Sequence, residues 1–175
     1  MSQSEPRPEA REMQWRISHR ADPEAVKIAD RHYNRQKPGT LQFVPPGSCF
    51  VLVIPAAAVW VTSWPRAEFV KHRWAGAWVN SCFRNERPDL YLSSELVRAA
   101  LAATRWFYGE PPLLGLVTFI DAEKTRRKRD PGRCYIRAGG EYDGKTQGGL
   151  IAIRFSPEHI PSARAPIAAQ FRFAL

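Results

Sequence analysis

Cysteine is scarce in this chain. Three thiols, Cys49, Cys82 and Cys134, stand far apart among 175 residues, with no CxxC pair. That number and spacing exclude a disulfide framework and a structural zinc site, and they suit reduced thiols in a cytosolic compartment. Long apolar runs are also missing. The longest, "CFVLVIPAAAVWV" at 49–61, is too short to span a bilayer and has Pro55 inside it. The first residues, "MSQSEPRPEAREMQ", carry no apolar stretch, so no signal peptide is expected. A soluble, cytoplasmic protein without a membrane partner is the expectation. No GxSxG, HExxH, Walker or GxGxxG pattern occurs, which removes the serine hydrolase, zincin and P-loop readings. No ligand spacing declares a metal.

Acidic residues are outnumbered. Against 26 Lys and Arg there are 17 Asp and Glu, a formal charge of +9. Such a surface attracts phosphate polyanions and steers them at long range. The length allows one domain that buries roughly 70% of the unfolded chain's surface. We expect a loose leader over 1–12, a catalytic domain over 13–156, and a Pro- and Ala-rich tail over 157–175 that wraps it.

The element order follows from local pattern. "QWRISH" (14–19) alternates and predicts a strand. Asp22-Pro23 predicts an N-cap with proline in the first turn, and "PEAVKIADRHY" a helix with Ala25, Ile28, Ala29 and Tyr33 near one face. "SCFVLVI" (48–54), "AVWVTSW" (58–64) and "GAWVNSCFR" (76–84) predict an antiparallel meander. In the last of these, Trp78, Asn80 and Cys82 should alternate against Val79, Ser81 and Phe83. "LSSELVRAALAATRWFYG" (92–109) is the clearest helix, with Ser93 or Ser94 as cap and an apolar stripe through Leu96, Ala100, Ala103 and Phe107. "LLGLVTFID" (113–121) predicts a strand buried on both faces. "GRCYIRAGG" predicts a short helix and "GGLIAIRF" (148–155) a last strand. The order β-α-β-β-β-α-β-α-β gives one α+β domain around a central mixed, mostly antiparallel sheet flanked by helices.

Several positions carry candidate chemistry. "KTRRKRD" (124–130) places Lys124, Arg126, Arg127, Lys128 and Arg129 together, and a phosphate counter-anion would relieve their mutual repulsion. Arg35 and Lys37 extend the basic set. "RNERPDLYLSSEL" (84–96) leads from a strand into a helix whose free N–H groups, with Ser93 and Ser94, could hold an anionic cofactor. Asp121 closes the buried strand at a sheet rim. Tyr135 precedes a Gly-Gly stop as a candidate proton donor. His32 and Tyr33 sit in "DRHYNRQKPGTLQFVPPG" (30–47), a dense polar set before rigid turns, where a histidine can serve as general base.

These blocks, in this order, resemble the GNAT acyltransferase fold. "RCYIRAGGEYDGKT" (133–146) is similar to that fold's last block, with Tyr135 and Ala138-Gly139 matching. The stretch at 84–96 has no glycine, unlike the family's pyrophosphate loop. A narrower resemblance is to phage Mom-type DNA modification proteins, GNAT-like enzymes without that loop. It rests on His32-Tyr33, on Thr118-Phe119-Ile120-Asp121 and on Tyr135-Ile136-Arg137-Ala138-Gly139, over roughly residues 28–150. What the resemblance implies is a phage or prophage transferase that converts adenine N6 in double-stranded DNA to a carbamoylmethyl derivative. It carries over His32, Tyr33, Ser94, Asp121 and Tyr135 as site residues. The donor stays open, acetyl-CoA or another acyl or carboxymethyl donor, and a homodimer is compatible with it. An acyl-CoA-dependent N-acetyltransferase for a small amine or modified nucleobase, and a non-enzymatic nucleic-acid-binding module, are the alternatives.

Overall fold

Asp22 starts the first helix, α1 (Pro23–Ala29), because its carboxylate accepts the Glu24 N–H at 2.9 Å and Pro23 occupies the first turn. The computed structural model describes residues 13–125 and 130–167, so the leader over 1–12 and the end of the tail lie outside the described residues. The helix stops four residues before Tyr33, where the apolar pattern had carried it. Asp30 explains the stop. Its two carboxylate oxygens turn to Arg35 Nε (2.7 Å) and the Gly39 N–H (3.0 Å), folding the chain back on itself. Arg31 and His32 then form tight turns onto Ile28 and Ala29.

Seven strands make one sheet: β1 (Arg16–Ile17), β2 (Cys49–Ile54), β3 (Ala58–Ser63), β4 (Trp78–Asn85), β5 (Leu116–Ile120), β6 (Glu141–Lys145) and β7 (Ile151–Phe155). Their order across the sheet is β1-β2-β3-β4-β5-β7-β6. Neighbours are antiparallel except β4 and β5, which run parallel. The mixed, mostly antiparallel sheet flanked by helices agrees with the sequence reading. β6 was missed. Its residues, "EYDGK", are largely polar, Gly144 sits inside them, and the strand lies at the sheet edge. An edge strand with little to bury leaves no alternation to read.

Two helices, α2 (Ser93–Tyr108) and α3 (Arg133–Arg137), cover one face. Leu96, Val97, Ala100, Leu101 and Ala103 of α2 pack there against Trp60, Trp78, Leu116, Ile153 and Phe155. The small alanines let the helix lie close to the tryptophans. On the other face, α1 sets Ala25, Ile28 and Ala29 against Val51, Val53, Val59, Val61 and Cys82. Trp15, fully buried, ties the first described residues to α2 and to the described part of the tail: its indole N–H donates to Leu96 O at 2.9 Å, and its carbonyl accepts the Ile167 N–H at 2.9 Å. The described part of the tail therefore returns along α2 to β1, helped by Arg164 N–H on Ala102 O (3.1 Å). No helix among the described residues is long and apolar enough to cross a membrane.

The expected alternation along β4 fails midway. Neighbouring β3 residues Val61 and Thr62 pair with Cys82 and Asn80, so Ser81 is an extra residue, a β-bulge. The bulge reverses the side-chain parity beyond it. Trp78 faces α2, but Cys82 faces α1, and Phe83 returns to the α2 face.

Candidate functional site

The bulge lies where the sheet opens. β4 and β5 pair only through Trp78–Leu116, Val79–Val117 and Asn80–Thr118, and beyond that point the two strands diverge. Each strand then loses its ladder partner on that side, and side chains or ligands must fill the gap. The gap is a cleft of about 600 Å³. The turn over 31–34, the outer half of β4, Ser93, the end of β5 and the start of α3 form its walls.

Asn80 anchors the cleft's inner end. The residue is buried and its side chain makes four hydrogen bonds. Its amide donates to Val61 O (2.9 Å) and Cys82 O (3.0 Å), and its Oδ1 accepts from Tyr135 Oη (2.9 Å) and Thr118 Oγ1 (3.2 Å). The amide thus clamps both sides of the bulge while its oxygen holds Tyr135. Burial pushes the Tyr135 phenol well above its ordinary range, with the neighbouring Cys134, Tyr33 and Cys82 adding to the rise and Thr118 opposing it. Tyr135 therefore stays protonated and donates its hydrogen bond to Asn80 Oδ1. Burial likewise pushes the Cys82 thiol up to about 12, which makes it inert as a nucleophile near neutral pH.

The 31–34 turn supplies the opposite wall. His32 stacks on Tyr33 with ring centroids 4.5 Å apart, and its Nδ1 pairs with Asn34 Oδ1. The Asn34 backbone N–H faces the same Nδ1 at 3.4 Å, so Asn34 holds the imidazole from both its side chain and its main chain. Asn34 in turn reaches Ser81 O at 3.4 Å. Burial raises the Tyr33 phenol, and the Asp121 backbone N–H beside it works against that rise.

Asp121 differs from expectation. Its carboxylate does not line the cleft. Oδ1 accepts the backbone N–H groups of Glu123 (3.0 Å) and Lys124 (3.2 Å), so the side chain caps the turn after β5. The residue meets the site through its main chain, at Tyr33. Ser93 and Ser94 differ too. Leu92 occupies the N-cap position of α2, and no side chain caps the helix. Ser93 reaches the cleft with its hydroxyl accepting from Asn85 Nδ2 (3.0 Å), whereas Ser94 is buried beneath the first turn.

The rim is charged. Glu86 receives Arg31 through two hydrogen bonds (2.6 and 2.7 Å) and Arg84 through one (2.8 Å). The Arg31 hydrogen bonds hold the Glu86 carboxyl below its ordinary value, burial opposes this, and Arg84 adds to the lowering. A depressed carboxylate stabilises the fold above its unfolded value, and that contribution is lost as pH falls through the folded value. Glu86→Gln is accordingly expected to cost about 1 kcal/mol at neutral pH, since Arg31 is half exposed and screened. The gap to wild type should close as pH falls below 4.5, the unfolded value. Urea melts of both proteins across that range check this; a gap that stays constant in acid would refute it.

Arg35 is part of the scaffold. Its side chain is only 9% exposed, and its guanidinium donates to Asp30 Oδ1 (2.7 Å), Thr40 O (2.6 Å) and Gln42 O (2.7 Å). It ties the loop before β2 to α1 and presents little charge to a polyanion, contrary to the sequence reading. Lys37 is exposed on that loop. Lys124 stands at the cleft with its Nζ 4.0 Å from Asp121. Arg126, Arg127, Lys128 and Arg129 lie outside the described residues.

The structure thus brings His32, Tyr33, Tyr135 and Ser93 to one cleft, and it adds Asn80, Ser81 and Thr118, which sequence reasoning missed. A polar Asn-Ser pair inside an otherwise apolar strand was the available signal. Among the described residues, no three His, Cys, Asp or Glu side chains are grouped to hold a metal ion. No family model, curated protein or solved structure matches the chain.

Proposed function

We propose that this chain is a GNAT-architecture transferase that modifies the adenine N6 amine of DNA in the manner of the Mom-type proteins. The observation that carries the reading is the cleft between β4 and β5, a parallel pair that splays beside a bulge within an otherwise antiparallel sheet. The strand order, the helix delivered into that cleft by β4, and the motif residues gathered around it support the same architecture. The net charge of +9 supports a polyanionic partner. Lys37, Lys124 and the run Arg126 to Arg129 are the phosphate contacts in this reading, which orient the duplex without reading its sequence.

An exocyclic amine inside a duplex cannot reach a cleft walled by protein, so the base leaves the stack. The amine nitrogen then attacks the donor carbon, a C–N bond forms, and the donor's leaving group departs with the bonding pair. The His32 imidazole takes the amine proton. Tyr33 and Tyr135, both held neutral by burial, give hydrogen-bonding groups that do not compete for that proton. Asp121 positions Tyr33 through its main chain.

A second reading keeps the fold and makes acetyl-CoA the donor. It is favoured by the first turn of α2, which no side chain caps and which meets the cleft at Ser93. Such a turn offers N–H groups to a pyrophosphate.

Mass spectrometry of nucleosides from plasmid DNA tests the proposal. Cells expressing the wild-type chain are expected to give a new adenosine-derived mass, reduced about 100-fold or more by His32→Ala, the usual size of a general-base contribution. Unmodified DNA from the wild-type chain would overturn DNA modification and leave acetyl transfer to another amine as the reading to pursue.

A further inference from the structure

The charge at the mouth of the cleft is lopsided. Arg31, from the turn after α1, and Arg84, from the outer end of β4, both line it. Glu86, which binds both, stands outside the lining. The two guanidinium Nε groups share one carboxylate oxygen, at 2.6 and 2.8 Å, so two positive charges meet one negative charge. On the opposite lip Lys124 stands between Asp121, 4.0 Å away, and Glu123, its neighbour in the chain. The excess of positive charge therefore belongs to the β4 side.

The open side-chain groups on that side are donors. Arg84 commits only its Nε, and Arg31 its Nε and Nη2, to Glu86. Both terminal nitrogens of Arg84 and the Nη1 of Arg31 are left without a hydrogen-bond partner among the described residues. Ser93 Oγ accepts from Asn85 Nδ2 at 3.0 Å, which leaves its own proton to give. Asn85 spends its oxygen on the Arg87 N–H (3.0 Å) and its amide on Tyr91 O (2.8 Å) and Ser93, so it adds no acceptor. Arg31, Arg84 and Ser93 all line the cleft. Donors without an acceptor suit a ligand group that only accepts, and guanidinium nitrogens match the oxygens of a phosphate. Glu86 holds both arginines in place before a ligand arrives, so less freedom is lost on binding.

We propose that Arg84 and Arg31, held by Glu86, form a phosphate clamp at the mouth of the cleft, with the Ser93 hydroxyl as a further donor. Arg84 offers two nitrogens to the anion and Arg31 one. The phosphate belongs to a nucleic-acid backbone or to an anionic group donor, which present the same chemistry here. This assignment deepens the transferase reading and rests on the β4–β5 cleft being its site. It works through side-chain charge, apart from the backbone N–H groups of α2.

Titration of the full-length chain with inorganic phosphate, followed by NMR of the arginine Nε–H groups, tests the clamp without DNA or donor. Saturable shifts are expected at Arg31 and Arg84. Arg84→Lys keeps the charge and loses the paired nitrogens, and it should weaken phosphate about tenfold, the size of one hydrogen bond to a charged group. Arg66→Ala removes a full charge from an exposed residue whose ion pair is with Glu68, outside the cleft, and should change little. Neither side chain belongs to the buried core, so both variants should fold. The same variants, titrated with a short DNA duplex and with coenzyme A, name the source of the phosphate: the clamp serves the probe that Arg84→Lys weakens about tenfold. No saturable shift at Arg31 and Arg84, shifts of equal size at every exposed arginine, or equal losses in Arg84→Lys and Arg66→Ala would overturn the proposal. Undiminished binding of both the duplex and coenzyme A in Arg84→Lys would overturn it too. Phosphate held at Arg84 while plasmid DNA stays unmodified would keep the clamp and sink the DNA reading. Modified DNA with phosphate binding unchanged in Arg84→Lys would do the reverse.

Discussion

Asn80→Ala is expected to cost about 4 kcal/mol of folding stability, because its four partners lose their bonds to a buried amide. For a chain of this size that corresponds to a fall of about 12 °C in melting temperature. The estimate counts mainly the Tyr135 and Thr118 hydroxyls and the two carbonyls at the bulge. Each unsatisfied group costs about 1–3 kcal/mol, and partial relaxation returns some of it. The loss should fall on activity as well as stability, since the same amide sets where Tyr135 sits and which way its proton points. Asn80→Asp keeps the acceptor and removes both donors. It buries a carboxylate, so it should recover toward wild type as acid protonates it. Thermal melts of the three proteins at neutral and acid pH read this directly. An alanine variant that melts within about 2 °C of wild type, less than a 1 kcal/mol effect, would mean that the bulge holds itself.

Gly115→Ala should be worse still. Gly115 has φ +67°, and a Cβ there would lie 1.9 Å from Phe155 O. The left-handed conformation alone costs an alanine about 1–2 kcal/mol. The clash is with backbone, which cannot swing aside as a side chain can. We expect a total loss above about 4 kcal/mol, in the range reserved for steric and core defects. The damage would not stay local. Gly115 O accepts the Trp78 N–H at 2.9 Å, the bond that begins the parallel pairing of β4 with β5. Shifting it moves the root of the cleft. Gly109 is the control: its φ is +87°, yet nothing lies within 4 Å of its would-be Cβ. With ψ −146°, Gly109 lies in a region nearly confined to glycine, so Gly109→Ala should cost its own conformational part, about 1–3 kcal/mol, and no clash. Urea denaturation of both variants decides the matter, and equal losses would refute the steric argument.

Much of the sheet was legible from residue type. The β2, β3 and β5 runs are dense in Val, Ile and Phe, and strands buried on both faces have no reason to be anything else. α2 was legible from its stripe and its glycine stop. The failures share one physical cause. Where a polar side chain makes a specific long-range bond, periodicity stops predicting. Asp30 ends α1 by bonding forward to Arg35 and Gly39. Ser81 bulges from β4 where the Asn80 amide binds Val61 O on β3 and Cys82 O beyond the bulge. Asp121 caps a turn that its sequence neighbours do not announce. The candidate site is built from these exceptions. His32, Tyr33 and Tyr135 could be read as chemistry in the sequence, but the amide and hydroxyls that arrange them could not.

The single short parallel seam has a mechanical meaning. Three residue pairs are all that join the β1–β4 leaf to the β5–β7–β6 leaf along their common border. The sheet resembles a book bound only near one end of its spine, with α2 leaving one page and β5 entering the next. Whatever lodges between the unbound margins touches both pages and takes over the work of the missing stitches. In such a fold a ligand in the site bridges two leaves that the ladder leaves unjoined, between Gly115 at the bound end and Asn80 where the pairing stops.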